Sequence, residues 1–415
     1  MSTAARVLSR LDGLIVRERV LGYSVIFLAL TWLALLVNGA FGSYPLSLSG
    51  EVVAADYFAH WTGAQMVLHG QTDALYDPAV QAELQHRWVP GSSGLSWFVS
   101  PPVSLWLYLP LGWMPYGVSV VLWTGLTLAL LALCLRPVGV LAHFARSRDH
   151  VPFVLVFLSL PAVFELLGSG QDSAVALAVL LVGLRLLLAG RDTSAGLVLA
   201  LGIVKPQLFV LVPLALLVQR RYRAAAAMAV GSLLLVASTL PLVGWNGWGS
   251  WLAALRSPLY QQGVQVGQTW KMQSVSALLT DWGAPQPVAY LVLALGAVAL
   301  TLRLRQVGTD FVQVWALTVL TTVVFSPHAM LYDLVLLLPF LSYGYRSLNV
   351  RSVRLLAVAT CVLLWSIPIR HVVADGGQGP VALLDAAWSA VALLALWVLA
   401  MRGPVGARAH LVPSH

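Results

Sequence analysis

Charge is what this sequence has least of. Only 10% of its 415 residues are Asp, Glu, Lys or Arg, against about 25% in soluble domains, so the chain cannot cover a water-facing surface. Lysine occurs twice, at Lys205 and Lys271, and arginine supplies nearly all the positive charge. Cysteine is equally scarce. Cys134 and Cys361 both lie inside apolar segments, which excludes a disulfide framework. No zinc-type spacing is present, and no metal is expected. There is no internal repeat and no low-complexity tract beyond Leu/Ala/Val bias. Short alternating segments are absent too, which excludes a membrane β-barrel.

What is there is apolar. The chain is 59% hydrophobic, in runs of about 15 to 23 residues, near the length that crosses a bilayer core. Lipid offers no partner to open backbone groups, so these runs are expected to be helices. Twelve segments can be marked, near 20–41, 98–115, 116–135, 151–168, 172–189, 195–217, 224–243, 286–304, 311–327, 331–345, 354–370 and 380–400. The expected class is all-α, a polytopic membrane protein with about 10–12 transmembrane helices. Residues 1–415 form one integral membrane domain, and its partners include membrane lipids. The first run follows Arg6, Arg10, Arg17 and Arg19. It is too long for a signal-peptide core and is read as a retained span.

The formal charge of +8 is explained by arginines in short turns, as the positive-inside rule requires. No nucleic-acid partner is implied. The N-terminal arginines, Arg220, Arg221 and Arg223, Arg303 and Arg305, Arg346, Arg351 and Arg354, and Arg402 and Arg408 are expected on the cytoplasmic side. Two long polar stretches, 42–97 and 244–285, then become extracytoplasmic loops carrying interfacial helices. The first half admits two topologies. If every segment crosses, Arg136, Arg146, Arg148 and Arg191 fall outside. If 98–115 re-enters and 195–217 folds as a hairpin at Lys205-Pro206, they fall inside. Proline in each segment permits the second arrangement.

The polar residues that could carry chemistry gather in those loops and at segment junctions. Residues 55–70 have apolar and aromatic positions near helical spacing, which predicts an amphipathic helix along the membrane surface. Asp56 opens it, as a helix cap or as a carboxylate able to take a proton from a hydroxyl. Tyr57 and Trp61 on the same helix are candidate substrate-binding residues. Tyr76 and Asp77, before Pro78, read as turn residues. Gly170-Gln171-Asp172-Ser173 reads as a tight turn capped by Asp172 or as a loop that binds a headgroup or sugar. Lys205 inside an apolar stretch costs about 2.5–3.5 kcal/mol on insertion scales. It needs an anionic partner such as a lipid phosphate, a cavity, or a route to the interface. The second loop mixes Trp245, Trp248, Trp251, Tyr260, Trp270 and Trp282 with Gln261, Gln262, Gln265, Gln268 and Gln273. That mixture suits an interfacial belt or a sugar site, and Lys271 among them could meet an anion. His328 and Asp333 sit at a further junction, interrupted by Pro327, and need not share a face.

In order, these stretches read Asp56-Tyr57-Phe58-Ala59-His60-Trp61, Leu75-Tyr76-Asp77, Ser100-Pro101-Pro102-Val103, Gly170-Gln171-Asp172-Ser173, the run from Ala195 to Pro206, and Ser326-Pro327-His328-Ala329-Met330-Leu331-Tyr332-Asp333. The set, spanning about residues 50 to 340, resembles the family 87 glycosyltransferases of the GT-C superfamily. That family includes polyprenyl-phosphate-mannose-dependent α-mannosyltransferases of bacterial envelopes. The resemblance implies a polyprenyl-phosphate sugar donor, a lipid-linked or cell-envelope glycan acceptor, and inverting transfer on the outer face. It implies no cofactor, the lipid-phosphate sugar being substrate. Asp56 would be the general base, Lys205 a donor-phosphate contact, His328 a site residue and Gln171 a pocket residue. This chain departs from the family's junction pattern at Ala329 and Met330. Mannose is the default sugar, and the plasma membrane the expected location, as a multi-pass protein with an extracytoplasmic site.

Three other functions compete. A transporter or lipid-linked glycan flippase would place polar residues mid-membrane and often carry repeats; only Lys205 favours it. An envelope glycan polymerase or ligase would use the same kind of loops. A non-catalytic assembly subunit would tolerate loss of Asp56.

Overall fold

The computed structural model describes residues 3–48, 50–92, 96–136, 150–307, 310–344 and 351–402. Arg146, Arg148, Arg346 and Arg408 lie outside the described residues. Among the described residues there is no strand, only isolated bridges at Leu46–Val52 and Met272–Met330. The protein is all-α and polytopic.

Along the chain run α1 (Thr3–Leu14), α2 (Arg17–Ala40), α3 (Ala55–Leu68), α4 (Pro78–Trp88), α5 (Leu105–Gly112) and α6 (Tyr116–Cys134). Next come α7 (His150–Leu158), α8 (Pro161–Ser169), α9 (Ser173–Leu188), α10 (Asp192–Ala200), α11 (Pro206–Phe209), α12 (Val212–Val218) and α13 (Tyr222–Arg256). The last are α14 (Val275–Asp281), α15 (Gln286–Val307), α16 (Phe311–Phe325), α17 (Leu338–Gly344), α18 (Arg351–Trp365), α19 (Ile367–Val373) and α20 (Ser389–Arg402). Four helices, α2, α6, α13 and α15, are long and apolar enough to cross a membrane. The bent pairs α7–α8 (53°) and α18–α19 (50°) raise that to six, and shorter apolar helices accompany them.

The outside of the bundle is greasy. Val25, Ile26, Leu30, Leu33 and Leu36 of α2 are all exposed, a surface suited to hydrocarbon rather than water. The core centres on α16, where nearly every residue from Phe311 to Phe325 is buried. It packs against α9, α15 and the 3-10 segment Leu331–Leu337. At the chain's start, Asp12 of α1 pairs with Arg354 of α18 at 2.7 Å and with Arg351 at 3.2 Å.

Geometry favours one of the two arrangements for the first half. Segment 98–115 holds no helix long enough to span: α5 has eight residues, roughly 12 Å at 1.5 Å per residue, far short of a hydrocarbon core of about 30 Å. It packs on α3, where Gln65 Nε2 donates to Gly112 O at 2.5 Å and Trp61 Nε1 to Met114 O at 3.1 Å. Segment 195–217 is a hairpin. Arg221, before α13, bonds Asp192, at the start of α10, at 3.0 Å, so both feet of the hairpin stand at one end. Lys205 at its tip reaches Asp172 and Asp333 at the other. Arg191, Arg220 and Arg221 thus share an end with Leu304 of α15, whose carbonyl accepts from Gln219 Nε2 at 3.1 Å. Arg136, past the far end of α6, lies towards the same side, because α6 meets Gly170 near its beginning through Trp123.

Helix α13 breaks at Gly244, whose φ of 62° is open to glycine, and a second helical stretch follows it to Arg256. Trp245 and Trp282 are exposed, as interfacial residues would be.

Candidate active site

At the end away from the arginines, the first loop, the α8–α9 turn, the hairpin tip, the second loop and the α16 junction converge. Helix α3 is positioned from below by α8: a Cβ at Gly170 would lie 2.7 Å from Tyr57 Cβ and 2.9 Å from Ala54 Cβ. From above it is held by α5 and by residues 96–98, which Gln85 and Gln81 bind through their amides. The expected amphipathic surface helix is therefore wrong in one respect. Residues Tyr57 to Ala64 are all buried, because segment 98–115 covers the face that was to meet water.

Burial removes Tyr57 and Trp61 from the open site. Tyr57 is fully buried, its hydroxyl bonded to Ser119 and its ring stacked on Trp123 at 5.3 Å. Trp61 packs against Trp88 and Tyr116, with its N–H committed to Met114 O. Both are core residues of an aromatic cluster.

Asp56 is placed differently. The N-cap of α3 is Ala54, in the left-handed conformation (φ 56°), and no side chain caps the helix. Asp56 lies in the first turn, where the helix dipole favours an anion. It is partly exposed, and its carboxylate makes no hydrogen bond or ion pair with a described residue. Its charge reaches His60, Tyr108, Glu165 and Tyr332.

Lys205 finds its anionic partner within the protein. Its Nζ lies 2.8 Å from Asp172 Oδ1 and 3.2 Å from Asp333 Oδ1, and donates to Gln171 Oε1 at 3.1 Å and Ser173 Oγ at 2.9 Å. Tyr108 donates to the other oxygen of Asp172 at 2.8 Å, and Ser173 to Asp333 at 2.6 Å. Tyr332 lies beneath the ammonium, 4.7 Å from ring centre to Nζ. One lysine against two aspartates leaves a net negative cluster, so the ammonium is already engaged where the sequence reading offered it a lipid phosphate. Asp172 holds the N-cap position of α9, as the turn suggested, but its side chain makes no cap hydrogen bond, because it turns to Lys205 and Tyr108. Asp77, by contrast, does cap α4, accepting from Ala79 N at 2.8 Å.

The second loop closes the other side. Trp97 and Tyr260 rings meet at 6.4 Å, and Trp251 donates to Val99 O at 3.0 Å, joining the two loops. Tyr260 lies in an eight-residue π-helical stretch, Leu259–Val266, a form often found at functional sites. Gln265 donates to Tyr260 OH at 3.2 Å, and its Oε1 lies 3.4 Å from His328 Nδ1. Burial pulls the His328 pKa down to about 4, against the opposing pull of Asp333, so the imidazole is neutral at pH 7. His328 faces the second loop while Asp333 faces Lys205; the two do not form a pair. Lys271 lies over the Trp270 ring at 5.0 Å. No carboxylate of a described residue is bonded to it, although its charge reaches Glu165. Trp270 itself stacks on His371 at 3.8 Å.

Two residues of this region were not singled out from the sequence. Glu165 on α8 is partly exposed, with no side-chain partner among the described residues. The signal was available, since a carboxylate inside an apolar run marks a functional site by default. His60 stacks on Tyr108 at 4.2 Å, and its buried Nδ1 has no hydrogen-bond partner. A histidine within an aromatic helix gave no such signal. Among the described residues no three His, Cys, Asp or Glu side chains converge as a metal cage would need.

The family model described as glycosyltransferase family 87 matches residues 98–327, more than half of the chain. No curated protein and no solved structure matches it significantly.

Proposed function

The chain belongs to glycosyltransferase family 87, and on that premise we propose that it moves a sugar, mannose by default, from a polyprenyl-phosphate donor to a lipid-linked or envelope-glycan acceptor. The observation that carries this reading is Asp56. It is a carboxylate fixed at a helix N-terminus, with both oxygens uncommitted, where the neighbouring acids Asp172 and Asp333 are engaged by Lys205. As general base, Asp56 takes the proton of the acceptor hydroxyl while that oxygen attacks the anomeric carbon. The bond to the phosphate oxygen breaks on the opposite face, so the centre inverts and polyprenyl phosphate leaves with the electron pair.

A phosphate leaving group needs cationic stabilisation more than a strong acid. Lys271 is assigned that role in this scheme, because its ammonium is not bound by a carboxylate. Lys205 is assigned a different one: it ties the α8–α9 turn, the hairpin tip and the α16 junction into one floor beneath the site. Gln171 belongs to that floor. Neutral His328, with its Nδ1–H given to Gln265 Oε1, keeps Nε2 as an acceptor for a sugar hydroxyl. Glu165 is a further group placed to meet sugar hydroxyls. The setting is a plasma membrane, with the arginine-rich end cytoplasmic and the site extracytoplasmic.

The test is Asp56→Asn, reconstituted with polyprenyl-phosphate mannose and a lipid acceptor. Removing a general base lowers the rate by about 10²- to 10⁴-fold, and no contact with a described residue is lost, so folding should be unchanged. Transfer at the wild-type rate would remove Asp56 as base. Solute uptake by the wild type without any sugar transfer would favour a carrier.

A further inference from the structure

At the end of the bundle opposite the candidate active site, a cleft of about 500 Å³ opens between α2, α6 and the bent pair α7–α8. Its volume falls within the range of about 300–1,000 Å³ typical of small-molecule sites. The cleft follows from the break between Leu158 and Pro161: the 53° bend swings α7 away from the line of α8, and no described side chain fills the gap. Its walls are apolar, with Leu28 and Trp32 from α2, Leu131 from α6 and Val154 from α7.

The cleft is polar at one end only. Arg136, just past α6, and His150, the first residue of α7, both line it there. Arg136 is exposed and makes no ion pair with a described residue. The Nδ1 of His150 is buried with no hydrogen-bond partner. A greasy slot with two nitrogen groups at its mouth matches a molecule with a hydrocarbon chain and an anionic head. Basic groups between spans on the cytoplasmic side are suited to such heads.

We infer that this cleft is a binding site for an anionic phospholipid of the arginine-side leaflet, its acyl chain along α2 and α6 and its phosphate at Arg136 and His150. This lipid is distinct from the sugar donor. Helix α6 has 19 residues, roughly 28 Å at 1.5 Å per residue, and that length separates Arg136 from the end where Asp56 lies. A head group held at Arg136 cannot reach the candidate active site, so the inference does not depend on the sugar-transfer reading.

The experiment is native mass spectrometry of the full chain, purified in detergent, stripped of lipid and titrated with defined lipids. One arginine at the mouth corresponds to about a five-fold preference for phosphatidylglycerol over phosphatidylcholine. Arg136→Gln should abolish that preference without touching any described contact. Ala132→Trp, which fills the cleft from its partly lipid-facing wall, should weaken both lipids. Equal retention of the two lipids by the wild type, or a preference surviving Arg136→Gln, would overturn the site. So would polyprenyl phosphate displacing phosphatidylglycerol from the wild type but not from Ala132→Trp, which would give the cleft to an isoprenoid.

Discussion

Lys205 is a residue whose need for a partner was plain and whose partners were not. Its position in an apolar run demanded an anion, yet Asp172 and Asp333 each have a sound local reading, as a helix cap and as a junction residue. Only the hairpin, which lifts the lysine to the far end of the bundle, brings the three together at 2.8 and 3.2 Å. Side chains exposed by 13%, 2% and 1% make this a buried ion cluster. Removing one partner of such a cluster costs about 3–5 kcal/mol, because charge is left unpaired. Lys205→Met should therefore lower the thermal unfolding midpoint in detergent sharply, with two carboxylates left side by side. Adding Asp172→Asn and Asp333→Asn to it should recover most of the loss. If Lys205→Met unfolded with the wild type, the lysine would be free, and its candidacy as a donor-phosphate contact would return. Asp56 stood out in the sequence as the acid at the start of a first-loop helix, and the structure adds that no described residue binds its carboxylate.

The helices were legible one by one, and their neighbours were not. Apolar length marked α2, α6, α13 and α15 correctly, because lipid forces the backbone to satisfy itself within each segment. For 98–115 apolar length left crossing and re-entrance both open, and only the structure lays its helix α5 on α3. That covering buries α3, whose periodicity predicted a helix but whose neighbours no periodicity reveals. The join between α3 and α8 shows how tight this covering is. Gly170 has φ 72°, and an added Cβ would press on Tyr57 and Ala54 at 2.7 and 2.9 Å. Gly170→Ala should cost about 1–2 kcal/mol for the left-handed backbone and about 1–3 more for overpacking. Gly190→Ala is the control, with φ 70° and nothing within 4 Å, so it should show the backbone part alone. Equal losses in the unfolding midpoint for the two variants would mean that α3 can move off α8. Under the proposed mechanism, Gly170→Ala should also depress sugar transfer more than Gly190→Ala, because the shift displaces Asp56.

For the whole molecule, the arginine pattern and the hairpin lead to one topology. With α5 confined to the loop end and Lys205 at a hairpin tip, the feet of α10 and α13 share an end, joined by Asp192 and Arg221. Sequence could offer this arrangement but not select it, because the selecting contact links residues 29 positions apart. Under the proposed orientation the positive-inside rule puts that end in the cytoplasm and α4 on the other side. Single cysteines at Thr193 and Glu83, both exposed, test this directly once Cys134 and Cys361 are replaced. A membrane-impermeant maleimide applied to intact cells should label Glu83→Cys and miss Thr193→Cys until the membrane is opened. Labelling of both from outside would mean that segment 98–115 or 195–217 crosses after all. The site drawn around Asp56, Lys271 and His328 would then lose its common face, because the hairpin tip and the first loop could not meet.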